Sequence, residues 1–245
     1  MILINIYLSI VIPAYNEAKR IAPTLGQIDE YLAKKDYKYE ILVVDDGSTD
    51  ETCKLVNEVA QQIPHIILLE NRINRGKGYS VRKGVLSGRG EIILFSDADL
   101  STPIQEIDKL AAWLDMGYDI SIGSRALTGS EILEMQPWYR QAMGKTFNSL
   151  VQLLTVSGIK DTQCGFKLFK KEAAEFLFEK QVIDGFAFDV EILFLANKNG
   201  YRIKEVPVQW VNSPCSRVHI FKDSLAMFSD LIRIRIRYLI GKYGL

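Results

Sequence analysis

The chain has 245 residues, 48% of them hydrophobic and 24% charged, which suffices for one substantial core and is the composition of an ordinary globular protein. Thirty basic residues balance thirty acidic ones, so no global field points to a nucleic-acid partner or to a bulk anionic surface. The three cysteines, Cys53, Cys164 and Cys215, are odd in number and lack metal-ligand spacing, which suits reduced thiols in a cytosol better than a disulfide framework.

In chain order, Met1 to Ile12 is apolar but lacks a basic leader and a small-residue cleavage site. It predicts a first strand near 5–12 that delivers Pro13-Ala14-Tyr15-Asn16-Glu17. A helix is expected near 17–35, with Ile21, Leu25, Ile28 and Leu32 on one face. A strand near 39–45 then runs into Asp45-Asp46-Gly47-Ser48-Thr49-Asp50, and a helix near 50–62 follows. A strand near 65–70 leads to Asn74-Arg75-Gly76-Lys77-Gly78 and a helix near 77–88. The strand near 91–96 delivers Asp97 and Asp99 before a helix near 103–116, and the strand near 119–123 reaches Ser124 and Arg125. Strands alternating with helices predict βαβ units and a mostly parallel sheet. Ligands of such sheets bind outside the carboxyl ends of the strands, so several of these loops are expected to share one pocket.

Residues 126–137 read as a long loop, a candidate lid. Trp138 to Thr155 is expected to be helical, and beyond Asp161 short strands mix with helices near 171–180 and 188–199 to shape the acceptor side. No uninterrupted run of about twenty apolar residues occurs, so no spanning helix is predicted. From Ile220 onward, large apolar residues mix with Lys222, Arg233, Arg235, Arg237 and Lys242. That mixture suits a helix lying in a headgroup plane, a helix packed on the domain, or a strand, since Leu231 to Ile240 alternates. The expected organisation is a catalytic domain over 1–219 and an amphipathic basic segment over 220–245.

Two carboxylates one residue apart at a strand end suit a divalent cation shared with diphosphate oxygens, although Asp is also favoured at turns and caps. Asp45 and Asp46 have the same two readings, with Gly47 as the turn partner. Lys77 stands between glycines that let the backbone approach a ligand, and its ammonium can neutralise a phosphate. Arg125, Lys167 and Arg217 are candidate phosphate-binding cations, each also readable as an ordinary surface charge. Asp189 and Glu191 open a predicted helix, where carboxylates favour the dipole. His65 and His219 form no constellation with other residues, and Phe166, Phe169, Phe186 and Phe188 suit a core better than sugar stacking.

The segments PAYNE, VVDDGSTD and SDAD, in this order and spacing, resemble the family 2 glycosyltransferases of the GT-A nucleotide-sugar transferase fold. That fold is α/β, with a mostly parallel central sheet flanked by helices. NRGKG, GSR and DTQCGFKLF resemble the branch that transfers sugars to polyprenyl phosphates, and FAFDVE and IKEVPV look most like its dolichyl-phosphate glucosyltransferases. The resemblance implies inverting, metal-dependent transfer of glucose from UDP-glucose to dolichyl or polyprenyl phosphate. It places the nucleotide sugar on Pro13, Ala14, Tyr15, Glu17, Asp45, Asp46, Lys77, Asp97 and Ala98, and Mg2+ or Mn2+ on Asp97 and Asp99. Asp97, Asp99, Asp161 and Arg125 form the implied catalytic set, with Asp161 facing the anomeric centre, and Lys167 and Arg217 meet the acceptor phosphate. It further implies a cytoplasmic protein, peripheral at the cytoplasmic face of a membrane, and leaves self-association open. Transfer of another hexose, such as mannose from GDP-mannose, or use of a saccharide acceptor is the rival activity. Ser101 stands where mannosyl-transferring relatives carry a metal-holding Gln, which disfavours mannose. A sugar-nucleotide pyrophosphorylase would want a Gly-rich, Arg-containing loop where PAYNE stands. A non-catalytic nucleotide-binding module would not need both Asp97 and Asp99.

Overall fold

The computed structural model describes residues 5–135, 137–212 and 220–244. Its first half alternates as expected: β1 (Leu8–Ala14), α1 (Ile21–Leu32), β2 (Tyr39–Asp45), α2 (Thr52–Gln62), β3 (Ile66–Glu70), α3 (Lys77–Ser87), β4 (Ile92–Ser96), α4 (Ile107–Asp115) and β5 (Ile120–Ser124). The second half holds β6 (Glu131–Glu134), α5 (Trp138–Leu154), β7 (Phe166–Lys170), α6 (Lys171–Lys180), α7 (Phe188–Lys198), β8 (Ile203–Pro207), β9 (Gln209–Val211) and α8 (Ile220–Leu239).

Seven strands form one sheet in the order β3-β2-β1-β4-β7-β5-β8. Every pairing in it is parallel except those of β7, which runs against both β4 and β5. This reversal positions the site. β1, β2, β4 and β5 all finish at one edge, and because Ser96 pairs with Phe166 the chain leading into β7 lies at that same edge. Pleating sends alternate side chains to opposite faces. Val11, Ile93 and Phe95 meet α3, α6 and α7 on one face, while Ile10, Ile12 and Leu94 meet α1 and α4 on the other. α1 buries Ile21, Leu25, Ile28 and Leu32, the face its periodicity predicts.

Two segments differ from or refine the expectation. Residues 126–137 are not strandless, since β6 pairs in parallel with β9 as a separate two-stranded ribbon. The ribbon gives this stretch backbone partners that a four-residue strand cannot announce by itself. α8 is a helix, and it inserts Met227, Leu231 and Ile234 into the same core as α7. The expected division between 219 and 220 falls beside residues 213–219, which lie outside the described ones, as do Cys215, Arg217 and His219. Cys53 and Cys164 are free thiols.

Candidate active site

At the common edge of the strands lies a cleft of about 690 Å3. Of the residues expected from sequence, Pro13, Ala14, Tyr15, Glu17, Asp46, Lys77, Asp97, Ala98, Asp99 and Arg125 line it. Asp45, Asp161 and Lys167 are not among the lining residues.

The acid pair is held by backbone geometry. Asp97 N donates to Gly165 O at 3.0 Å, which ties the end of β4 to the start of β7. Gly165 is required there, because a Cβ would fall 1.9 Å from Asp97 Oδ2. Leu100 adopts a left-handed φ of 46°, uncommon for a branched residue, while Ser101 N donates to Asp99 Oδ1 at 3.0 Å and Thr24 Oγ1 to Ala98 O at 2.8 Å. The turn and cap roles that Asp can play are therefore real for one oxygen of Asp99. Its other oxygen lies 3.9 Å from Arg20 Nη1. Arg20 also makes a forked contact with Glu17, with Nη2 to Oε1 at 2.8 Å and Nε to Oε2.

Lys77, the first residue of α3, places Nζ 2.7 Å from Asp97 Oδ1. Burial opposes its charge, but the carboxylates of Asp97 and Asp189 outweigh that and raise its pKa above the ordinary lysine value. The loop before it is built by Asp46, whose Oδ1 accepts Asn71 Nδ2 and Arg75 N at 2.9 Å each and whose Oδ2 accepts Gly76 N at 2.8 Å. Asp46 thus lines the cleft while its carboxylate folds the 71–76 loop. Gly76 has φ 107°, and a Cβ on it would meet Asp184 O at 2.4 Å, so the lysine is presented by a backbone only glycine tolerates. Asp45 closes the neighbouring turn, accepting Gly47 N and Ser48 N on Oδ2 at 3.0 and 2.9 Å.

On the other side of the acid pair, Arg125 forks onto Asp161, with Nε to Oδ2 at 2.7 Å and Nη2 to Oδ1 at 2.8 Å. Burial pushes the Asp161 carboxyl up, but the Arg125 charge and hydrogen bonds prevail and hold it below the usual carboxylate range. Asp161 therefore turns its carboxylate to Arg125, which lines the cleft, and is not itself among the lining residues. Glu205 of β8 fastens this loop, accepting Asp161 N at 2.7 Å, Lys160 N at 3.0 Å and Ser124 Oγ at 2.7 Å. Lys167, expected at the acceptor phosphate, is 1% exposed on β7. Its ammonium is spent on Asp189 Oδ1 and Cys164 O, both at 2.6 Å. It is a cation beneath the cleft floor, because β7 runs through the middle of the sheet. Asp189 itself lines the cleft, and burial raises its carboxyl above the ordinary value despite Lys167 and Lys77.

Sequence reasoning missed Arg20, Gln163, Trp210 and Asn212, which also line the cleft. Arg20 had a local signal, standing three residues after Glu17, and Gln163 lies inside the DTQCGFKLF segment. It also missed the apolar wall, where Met143 and Phe147 of α5 and Met227 of α8 line the same cleft with Phe186. The cleft is thus ionic along the strand ends and apolar between two helices. Among the described residues no group of three His, Cys, Asp or Glu could hold a metal. The hard oxygens of Asp97 and Asp99 fit a divalent ion that takes its remaining ligands from diphosphate.

A parallel sheet interrupted by one reversed strand, with an acid pair leaving β4 towards that reversal, defines the GT-A glycosyltransferases. A solved member of that fold, glucosyl-3-phosphoglycerate synthase from Mycobacterium tuberculosis in complex with Mn2+, UDP and phosphoglyceric acid, superposes with a TM-score of 0.69 at 18% identity, over 98% of this chain and 79% of that one. The chain belongs to glycosyl transferase family 2, whose profile matches residues 9–178, and it is an enzyme of that type. It is 42% identical over 251 residues to a dolichyl-phosphate beta-glucosyltransferase of Dictyostelium discoideum, covering 97% of this chain and 76% of that relative. A dolichyl-phosphate beta-glucosyltransferase of Homo sapiens is 38% identical over 254 residues, covering 97% of this chain and 78% of that one.

Proposed function

We propose that the chain transfers glucose from UDP-glucose to dolichyl or polyprenyl phosphate, with inversion at the anomeric carbon. The observation that carries this is the two-part cleft: an ionic strand edge, where Arg20, Lys77 and Arg125 stand among carboxylates, opens onto an apolar wall of Met143, Phe147 and Met227 suited to a lipid. The names of the relatives at 42% and 38% identity support the choice of sugar and acceptor.

In this reading the acceptor phosphate oxygen attacks the anomeric carbon on the face opposite the departing diphosphate. One bond forms as the other breaks, which inverts an α-linked donor. Lys77 and Arg20 face the charge that builds on the leaving group. Arg125, aimed by Asp161 and Glu205, meets the acceptor phosphate. That acceptor is already anionic, so the reaction needs no general base, in keeping with Asp161 being locked to Arg125. When bound between Asp97 and Asp99, Mg2+ or Mn2+ supplies Lewis-acid stabilisation of the leaving group. The exposed face of α8 rests on a membrane surface and brings the cleft to the lipid.

Calorimetric titration of the protein with UDP-glucose and with GDP-mannose, each with Mn2+, tests the donor. UDP-glucose is expected to bind more tightly. Tighter binding of GDP-mannose would move the chain to a mannosyl-transferring role.

A further inference from the structure

The acid pair is already partnered by cations of its own chain. Lys77 Nζ sits 2.7 Å from Asp97 Oδ1, and Arg20 Nη1 3.9 Å from Asp99 Oδ2. Of the remaining oxygens, Asp99 Oδ1 accepts Ser101 N, and Asp97 Oδ2 lies against Gly165 at the strand end. A metal ion and Lys77 therefore compete for the same side of Asp97, and like charges cannot share it cheaply.

Lys77 has somewhere else to go. It leaves a glycine-flanked helix start, its ammonium lies 5.2 Å from the Phe95 ring, and it lines the cleft where phosphates would lie. Its backbone is braced from behind, with Tyr79 N donating to Asp184 O at 3.2 Å, so only the side chain has to swing.

Resting on the nucleotide-sugar reading of the cleft, we propose that Lys77 is a place-holding cation. It occupies Asp97 before the donor arrives, and it moves to the diphosphate as the metal takes Asp97. The metal alone then binds weakly, because it must displace an ammonium paired with Asp97 and leave it no comparable hydrogen-bonded partner. A diphosphate offers that ammonium a new partner, so metal and nucleotide strengthen one another, and Lys77 sets the size of the coupling. The site is thereby guarded against loading metal without substrate.

The test is calorimetric titration of the full chain with Mn2+, alone and in saturating UDP, for the wild type, Lys77→Gln and Lys77→Arg, each checked for folding by thermal melting. Wild type should bind Mn2+ about 5- to 150-fold more tightly with UDP than without, the usual span of coupling between sites. Lys77→Gln should bind Mn2+ alone more tightly than wild type does and lose most of the gain from UDP. Lys77→Arg, which keeps a cation, should stay near wild type. Should Lys77→Gln melt early, Lys77→Met replaces it with a side chain of similar length against Phe95. An uncharged variant whose affinity for Mn2+ alone is unchanged or weaker overturns the place-holding role while leaving the donor reading intact. A wild type that binds no UDP even with Mn2+ overturns both.

Discussion

Asp97 and Asp99 stand one residue apart and have different surroundings. Asp97 is fixed between Gly165 and Lys77, whereas Asp99 gives one oxygen to Ser101 N and turns the other towards Arg20. The left-handed Leu100 beyond them stores strain of order 1–3 kcal/mol, a cost that persists where the surroundings dictate the conformation. Asp99→Asn keeps the turn oxygen but removes the charge, so kcat is expected to fall about 10²- to 10³-fold with little change in melting temperature. Wild-type turnover by this variant, or by the native enzyme in excess chelator, would contradict the metal role. The Arg125–Asp161 pair carries a pH signature. A carboxyl held below its ordinary value contributes stability that is complete above that value and is lost as pH falls through the depressed one. Asp161→Asn should therefore cost about 1–3 kcal/mol near pH 7 and progressively less below about pH 4, as read from urea melts across that range. A gap that stays constant down to pH 3 would mean that charge is not what the pair supplies. The acid pair was legible because both residues lie on one strand end. Lys167 was not, because its partner Asp189 is 22 positions away and no local pattern distinguishes a buried cation from a surface one.

α8 shows why one element resisted reading. It carries two apolar stripes, with Met227, Leu231 and Ile234 buried, and Leu225, Phe228, Ile232, Ile236 and Leu239 exposed on the opposite side. The second stripe, with arginines at alternate positions from Arg233 to Arg237, adds an alternation that mimics a strand on top of the helical period. The exposed stripe is flanked by Arg233 and Arg235, and no helix among the described residues is long and apolar enough to cross a membrane. Cutting the chain before α8 would strip Met227, Leu231, Ile234 and Tyr243 from the core, so point changes on the exposed stripe are the better probe. With anionic vesicles at low salt the wild type should co-float, and Ile232→Glu with Ile236→Glu should stay at the bottom while melting normally. Co-flotation of both would place membrane contact elsewhere on the surface. β6 was hidden for a different reason: it is four residues long and its partner strand lies far along the chain, with Glu131 and Gln209 78 positions apart.

At the scale of the molecule, the alternation of strand and helix as far as Arg125 was sufficient to predict the parallel half of the sheet and the edge where its loops meet. The reversed β7 was not predicted, because the direction of a strand depends on partners distant in sequence, and Phe166-Lys167-Leu168-Phe169-Lys170 carries no signal for it. Yet β7 is what brings Gly165 to Asp97, and Glu205 of β8 then fastens the Arg125–Asp161 corner beside it. The apolar wall arises only when α5 and α8, some eighty residues apart in sequence, stand together over the cleft. An ionic edge and an apolar wall in one cleft are what join a soluble sugar donor to a lipid acceptor. The direct measurement is to incubate the full chain with labelled UDP-glucose, Mn2+ and dolichyl phosphate in vesicles, and to identify the organic-phase product. The account predicts a β-linked glucosyl phospholipid, formed faster than any product from labelled GDP-mannose. Label appearing on a saccharide, or mannose transferred in place of glucose, would contradict it.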